Sequence, residues 1–215
     1  MKLLFIGNSH TYVNSVPAIV RQLLEQTGTH THTTMIALGG KTLDFYTERS
    51  MTHFNIRHGE YDVMIAQDRA SVFDPKLFLE GAEKLRREAA QVGTKMLLYM
   101  PWALRDNRAA QAEMTETYLA FARQNDIPLA AAGEVFGRLL QHYPADLLYH
   151  PDGNHATFVG SYAAALTIFY TLTGRKRTLL LDKINDPGIA EGLDEALCRQ
   201  CHTEACYIAR LYNAR

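Results

Sequence analysis

The tightest constraint on the fold of this chain is an alternation of short, almost uninterrupted apolar runs with longer stretches of helical period. The runs are Lys2–Ile6 (KLLFI), Thr33–Leu38 (TTMIAL), Asp62–Ala66 (DVMIA), Lys95–Met100 (KMLLYM) and Ile127–Ala131 (IPLAA). A strand with one wet face alternates apolar and polar residues, whereas a strand covered on both faces stays apolar throughout. Runs of this kind therefore predict a parallel sheet between two layers of helices. Between them the spacing predicts helices over about 17–26, 76–91, 109–124 and 134–142. Phe78, Ala82, Leu85 and Ala89 recur at three- and four-residue intervals, with Glu and Arg on the opposite side. Strand–helix repetition of this sort is closed by right-handed crossovers into an α/β, doubly wound sheet.

No strand is predicted after the fifth run. Thr157–Leu172 reads as a helix stopped by Gly174. Asp186-Pro187, a capping residue followed by proline at the first helical position, opens a final helix from about 187 to 212. The 215 residues suffice to bury a core without metals or disulfides. No repeat, low-complexity segment or linker divides them, so residues 1–215 are expected to form one domain. That last helix suits either dimer packing or the monomer's own core, which leaves a homo-oligomer open.

Charge narrows the function classes. Twenty-two basic residues against 23 acidic ones give no electrostatic footprint for nucleic acid or an anionic membrane. No apolar run approaches the ~20 residues of a membrane span, and Leu3–Ile6 is too short for the core of a signal peptide. Three cysteines, all between 198 and 206, make no disulfide framework. A cytoplasmic location is the expectation.

In an open parallel sheet, ligands gather beyond the carboxyl ends of the strands, where strand order reverses. The first run ends in Gly7-Asn8-Ser9-His10-Thr11. Of the five serines, Ser50 falls in an expected loop past a short helix and Ser161 inside a helix, while Ser9 directly follows a buried strand. Gly7 allows close backbone approach, and a following helix would aim N–H groups at a developing anion. The plainer alternative is ordinary turn and cap chemistry.

A serine nucleophile needs a base, and the base needs a carboxylate to hold its tautomer. Among nine histidines, the loop His150-Pro151-Asp152-Gly153-Asn154-His155 stands out. Asp152 and His155 are three apart, so one turn can bring the carboxylate to Nδ1 and leave Nε2 for serine. A surface turn with Asp152 as a cap is the competing reading.

With these residues the chain resembles the SGNH (GDSL-like) hydrolase superfamily. Gly7-Asn8-Ser9 matches the nucleophile block and Asp152-x-x-His155 the last one. Leu38-Gly39-Gly40-Lys41-Thr42 matches the glycine block after strand two, with Gly40 in the aligned place. The third block departs: Gln67-Asp68 stands where most members have Gly-x-Asn-Asp. The chain is similar in this to a bacterial branch with Gly-Asn-Ser first, Gly-Gly second and glutamine third.

The resemblance implies a three-layer α/β/α sandwich with a five-stranded parallel sheet, flavodoxin-like in layout. It also implies hydrolysis of small or carbohydrate-linked carboxylic esters through an acyl-serine. Ser9 would attack, His155 would carry the proton and Asp152 would orient His155. The backbone amides of Ser9 and Gly40 and the side chain of Gln67 would stabilise the oxyanion. No metal or organic cofactor is implied, and the partner is a small-molecule ester. His10, Phe73, Trp102 and Tyr149 are expected near the crevice as substrate contacts. A degenerate hydrolase, or an anion- or nucleotide-binding module of flavodoxin-like layout, is the alternative. Against the latter, the chain lacks both Gly-x-Gly-x-x-Gly and a Walker P-loop.

Two further groups read as structural. Cys198, Cys201, His202 and Cys206 fall on one helix, and one helix cannot wrap four ligands around an ion; a packed face with reduced thiols is expected. His30 and His32 share one side of strand two and read as polar strand-edge residues.

Overall fold

A computed structural model describes residues 1–181 and 184–214. Five parallel strands, β1 (Lys2–Gly7), β2 (His32–Ala37), β3 (Val63–Ala66), β4 (Lys95–Met100) and β5 (Leu129–Ala131), form one sheet in the order β2-β1-β3-β4-β5. All five expected strands are present, and the sheet is parallel throughout. From Leu3 to Gly7 every residue of β1 is buried, which explains its unbroken apolar run. β2 lies at the edge and is only partly covered.

The helices are α1 (Ser9–Tyr12), α2 (Val16–Gln26), α3 (Leu43–Tyr46), α4 (Ser50–His58), α5 (Pro75–Gln91), α6 (Ala110–Gln124), α7 (Ala132–Leu139), α8 (Ala145–Leu148), α9 (Phe158–Thr173), α10 (Pro187–Ala190) and α11 (Glu195–Tyr212). α3, α4, α5 and α6 pack together on one side of the sheet, and α2, α9, α10 and α11 on the other. α5 shows how sequence sets this placement. Asp74 caps its N-terminus through the N–H groups of Lys76 and Leu77, Pro75 fits the first turn, and Phe78, Ala82, Leu85 and Ala89 are all buried. α9 is the hub of the other layer, buried on every side from Val159 to Tyr170. Each Leu, Ile or Phe so buried contributes about 1.5–3 kcal/mol of apolar transfer energy. Gly174, in the left-handed region at φ 62°, closes it as expected.

Two expectations need correction. Ser50 begins a helix rather than lying in a loop. The single final helix is two: α10 ends at Ala190, Gly192 at φ 84° turns the chain off the helical path, and Asp194 then caps α11 afresh through Ala196 and Leu197. α11 completes the monomer's own core against α9 and α7. No helix among the described residues is long and apolar enough to cross a membrane.

Strand order reverses beside β1: the chain leaves it for β2 on one side, then returns to β3 on the other. Gly7 is level with Ala37, and Ile6 with Ala66. The segments following β1, β2 and β3 therefore emerge together at one edge.

Candidate active site

Ser9 is the first residue of α1 and directly follows β1. Asn8 caps the helix, its Oδ1 accepting the His10 N–H at 3.1 Å, while its Nδ2 donates to the Lys41 carbonyl at 2.9 Å. That second bond ties the turn after β1 to the glycine turn after β2. Gly7 is required by packing: a Cβ there would lie 2.3 Å from Thr11 Oγ1 and 2.6 Å from Gln67 Oε1. Gly40 is required by conformation, at φ 69°. Among the described residues, neither the Ser9 nor the Gly40 N–H has a backbone partner.

The expected base, His155, comes from the other end of the chain. Asp152 Oδ2 lies 2.6 Å from His155 Nδ1, and Oδ1 accepts the N–H groups of Asn154 and His155, each at 2.9 Å. Burial alone would raise the Asp152 pKa, but the bonds to the His155 ring and to the two N–H groups outweigh it and hold the carboxyl well below the usual range. Nδ1 facing a carboxylate must carry the proton, so Nε2 presents its lone pair. The loop is pinned by His150 N–H to His155 C=O at 2.8 Å and by the Tyr149–Ala156 bridge.

Contacts through His10 and Asn14 join this loop to the segment that begins with Ser9. The Asn154 carbonyl accepts from Trp102 Nε1 at 2.9 Å and from His10 Nε2 at 3.2 Å. Asn14 donates to the Ala156 carbonyl at 3.1 Å and to Ser161 Oγ at 3.0 Å. The His10 and His155 rings stack at 5.8 Å between centroids. Burial, reinforced by His155, pulls the His10 pKa down to about 4, so His10 is a neutral support beneath its neighbour.

Ser9 and His155 line one cleft of about 260 Å³ together with Gly40, His10, Arg69 and Asn154. No hydrogen bond links Ser9 Oγ to His155 among the described residues, a looseness common in sites without substrate. Such a cleft can support nucleophilic attack by serine, proton transfer through imidazole, and anion stabilisation by two backbone N–H groups.

Gln67 departs from its expected place. Fully buried, it accepts from Asn8 N–H at 3.0 Å and Thr11 Oγ1 at 2.8 Å, while Nε2 donates to the Asp68 carbonyl. Its amide is thus engaged behind the nucleophile turn instead of facing the cleft. Two aromatic expectations, Trp102 and Tyr149, also need correction. Trp102 is 1% exposed, packed on His10 and Phe136. Tyr149 is 2% exposed, its hydroxyl bound to the Ala103 carbonyl. Phe73 packs against Phe78 and Tyr118. Trp102 and Tyr149 belong to the buried core, and Phe73 is half-buried against it.

Sequence reasoning missed Asn14, Tyr46, Asp68 and Arg69. Asn14 and Ser15 both have φ of 54°, and asparagine's tolerance of that region was the one signal of a kink. Tyr46 bridges β1 and β2, donating to the Gly7 carbonyl and accepting from Leu38 N–H. Asp68 Oδ1 accepts from Leu43 N–H at 2.7 Å and so holds the start of α3. Burial raises the Asp68 pKa to about 7, against opposing bonds from Leu43 and Arg69.

The Cys198–Cys206 helix face is packed against the core. The thiols are free and buried, and burial pushes Cys198 up to about 11 and Cys201 to about 12. Both nitrogens of His202 are engaged, Nε2 with Asp186 at 2.9 Å and Nδ1 with Tyr170 at 2.6 Å.

No protein-family model matches the chain, and no curated protein matches its sequence. Solved structures do match its fold. A DUF4886 family protein from Bacteroides uniformis superposes with a TM-score of 0.80 at 17% identity, over 100% of this chain and 96% of that one. An acetylxylan esterase, Axe2 from Geobacillus stearothermophilus, gives 0.65 at 14% identity, over 78% of this chain and 93% of its own. TesA gives 0.63 at 14%, over 81% and 99%. The chain thereby shares the α/β fold of these structures, a parallel sheet between two layers of helices.

Proposed function

We propose that the protein is a serine esterase that hydrolyses small or carbohydrate-linked acyl esters through an acyl-serine. The observation that carries this reading is the Asp152–His155 pair, its carboxylate 2.6 Å from Nδ1, in the same cleft as a serine at a helix N-terminus. Ser9 Oγ attacks the ester carbonyl as His155 Nε2 takes its proton, and Asp152 stabilises the resulting imidazolium. The oxyanion forms against the Ser9 and Gly40 N–H groups. Collapse expels the alcohol, which receives the proton from His155. Water then attacks the acyl-enzyme with the same imidazole as base, releasing the acid and restoring Ser9. The acetylxylan esterase likeness supports an acetyl or similarly short acyl group, and so does the cleft's small volume.

The engagement of Gln67 in the core favours a second reading, a degenerate member that binds without turnover. A panel of short-chain esters separates the two. The wild type should hydrolyse at least one of them, and Ser9→Ala and His155→Ala should each reduce kcat at least about a thousandfold. A folded wild type inert toward the whole panel, or Ser9→Ala retaining its activity, would overturn the esterase reading.

A further inference from the structure

Among the described residues, Arg69 is the charged side chain of the cleft whose purpose the proposed mechanism leaves open. It leaves the sheet edge two residues after Gln67 and lines the same cleft as Ser9 and His155. Its guanidinium makes only long contacts, 3.5 Å from Nη1 to the Gly40 carbonyl and 3.4 Å from Nη2 to the Val72 carbonyl. Nε is buried with no partner. Among the described residues no carboxylate lies within salt-bridge range of it, and none lines the cleft. The neighbouring Asp68 is buried and directs Oδ1 to Leu43; its Oδ2 has no hydrogen-bond partner and feels the charge of Arg69 without forming an ion pair with it. The loop bearing Arg69 also places Val72, a β-branched residue, at φ 53°, a strained conformation of the sort that accumulates around binding sites.

A guanidinium is permanently charged, and its planar donor fork matches a carboxylate. Arg69 is half-buried, with Nε buried and its Nη groups reachable from the cleft, so an anion entering the cleft meets donors that no carboxylate already holds in an ion pair. We propose that Arg69 anchors a carboxylate on the substrate, so that the preferred ester carries an anionic group close to the scissile bond. This rests on the esterase reading and narrows it to a substrate class. The carboxylate can belong to the acyl or to the alcohol half, and the test has one arm for each.

Steady-state rates would be compared within matched pairs: 4-nitrophenyl hemisuccinate against 4-nitrophenyl butyrate for the acyl side, and acetoxyacetate against ethyl acetate for the alcohol side. In at least one pair the wild type should favour the anionic ester by about tenfold or more in kcat/KM. Arg69→Gln should shrink that preference about 10- to 100-fold, mainly through KM, as expected for loss of a charge-assisted pair. Arg69→Lys should retain part of it, and added salt should weaken it. No anionic preference in either pair, or an equal fall for both members in Arg69→Gln, would overturn the proposal. If the wild type turns over no ester at all, the esterase reading fails. The anchor is then judged by calorimetry with succinate: binding lost in Arg69→Gln upholds it, and absence of binding to the wild type refutes it.

Discussion

His10 should make the protein sensitive to acid well above the range in which carboxylates titrate. Its ring is 3% exposed, its Nε2–H is committed to the Asn154 carbonyl, and burial with His155 alongside holds its pKa near 4 against an ordinary 6.5. A lowered folded pKa means that the native state refuses a proton the unfolded chain accepts. Stability is therefore fully present above about pH 6.5 and is lost as pH falls toward about 4. At about 1.4 kcal/mol per pH unit, that interval corresponds to about 3 kcal/mol. Urea unfolding between pH 7 and pH 4 measures it, with His10→Gln as the reference, since glutamine does not titrate and can still donate to Asn154. Every other titrating group is common to both proteins. The stability difference between wild type and variant should shift by about 3 kcal/mol in favour of His10→Gln on acidification. Parallel stability curves across the range would refute the reasoning.

Gln67→Leu should unfold more readily by about 1–3 kcal/mol, because the buried Asn8 N–H and Thr11 hydroxyl lose their acceptor. An unchanged urea midpoint with a large fall in kcat would instead return Gln67 to the oxyanion role. Asp152→Asn should lower kcat by about 10³- to 10⁴-fold with little change in melting temperature, since the carboxylate fixes the His155 tautomer from a loop that is partly exposed. Asp186→Ala should cost about 3–5 kcal/mol in urea unfolding while leaving kcat within a factor of a few, because it strips the partner from buried His202 and Tyr162 far from the cleft.

How much the sequence reveals depends on how local the physical cause is. β1, β3 and β4 are legible because burial on both faces removes polar residues from the run itself. α5 and α9 are legible because caps and apolar period coincide. α4 escapes notice because it buries only Thr52 and Ile56, too few to mark a face, whereas the short helix expected before Ser50 is α3. The break between α10 and α11 is written in Gly192 and Asp194, a stop and a fresh cap, but the apolar period on either side obscures it. At the site, Ser9, Gly40, Asp152 and His155 stand in turns whose chemistry is local, and the fold brings them to one edge. Gln67 and Arg69 show the opposite case. Both follow β3, yet which one faces the cleft depends on packing against Gly7 and Thr11, residues nearly 60 positions away.

The most direct test of the central claim is covalent trapping. The folded protein would be treated with a fluorophosphonate probe and the adduct located by peptide mass spectrometry. The proposed mechanism predicts one adduct, on Ser9, greatly slowed in His155→Ala and absent in Ser9→Ala. A folded wild type that takes up no probe, or that carries it on Ser71, the other serine of the cleft, would contradict an activated nucleophile at Ser9.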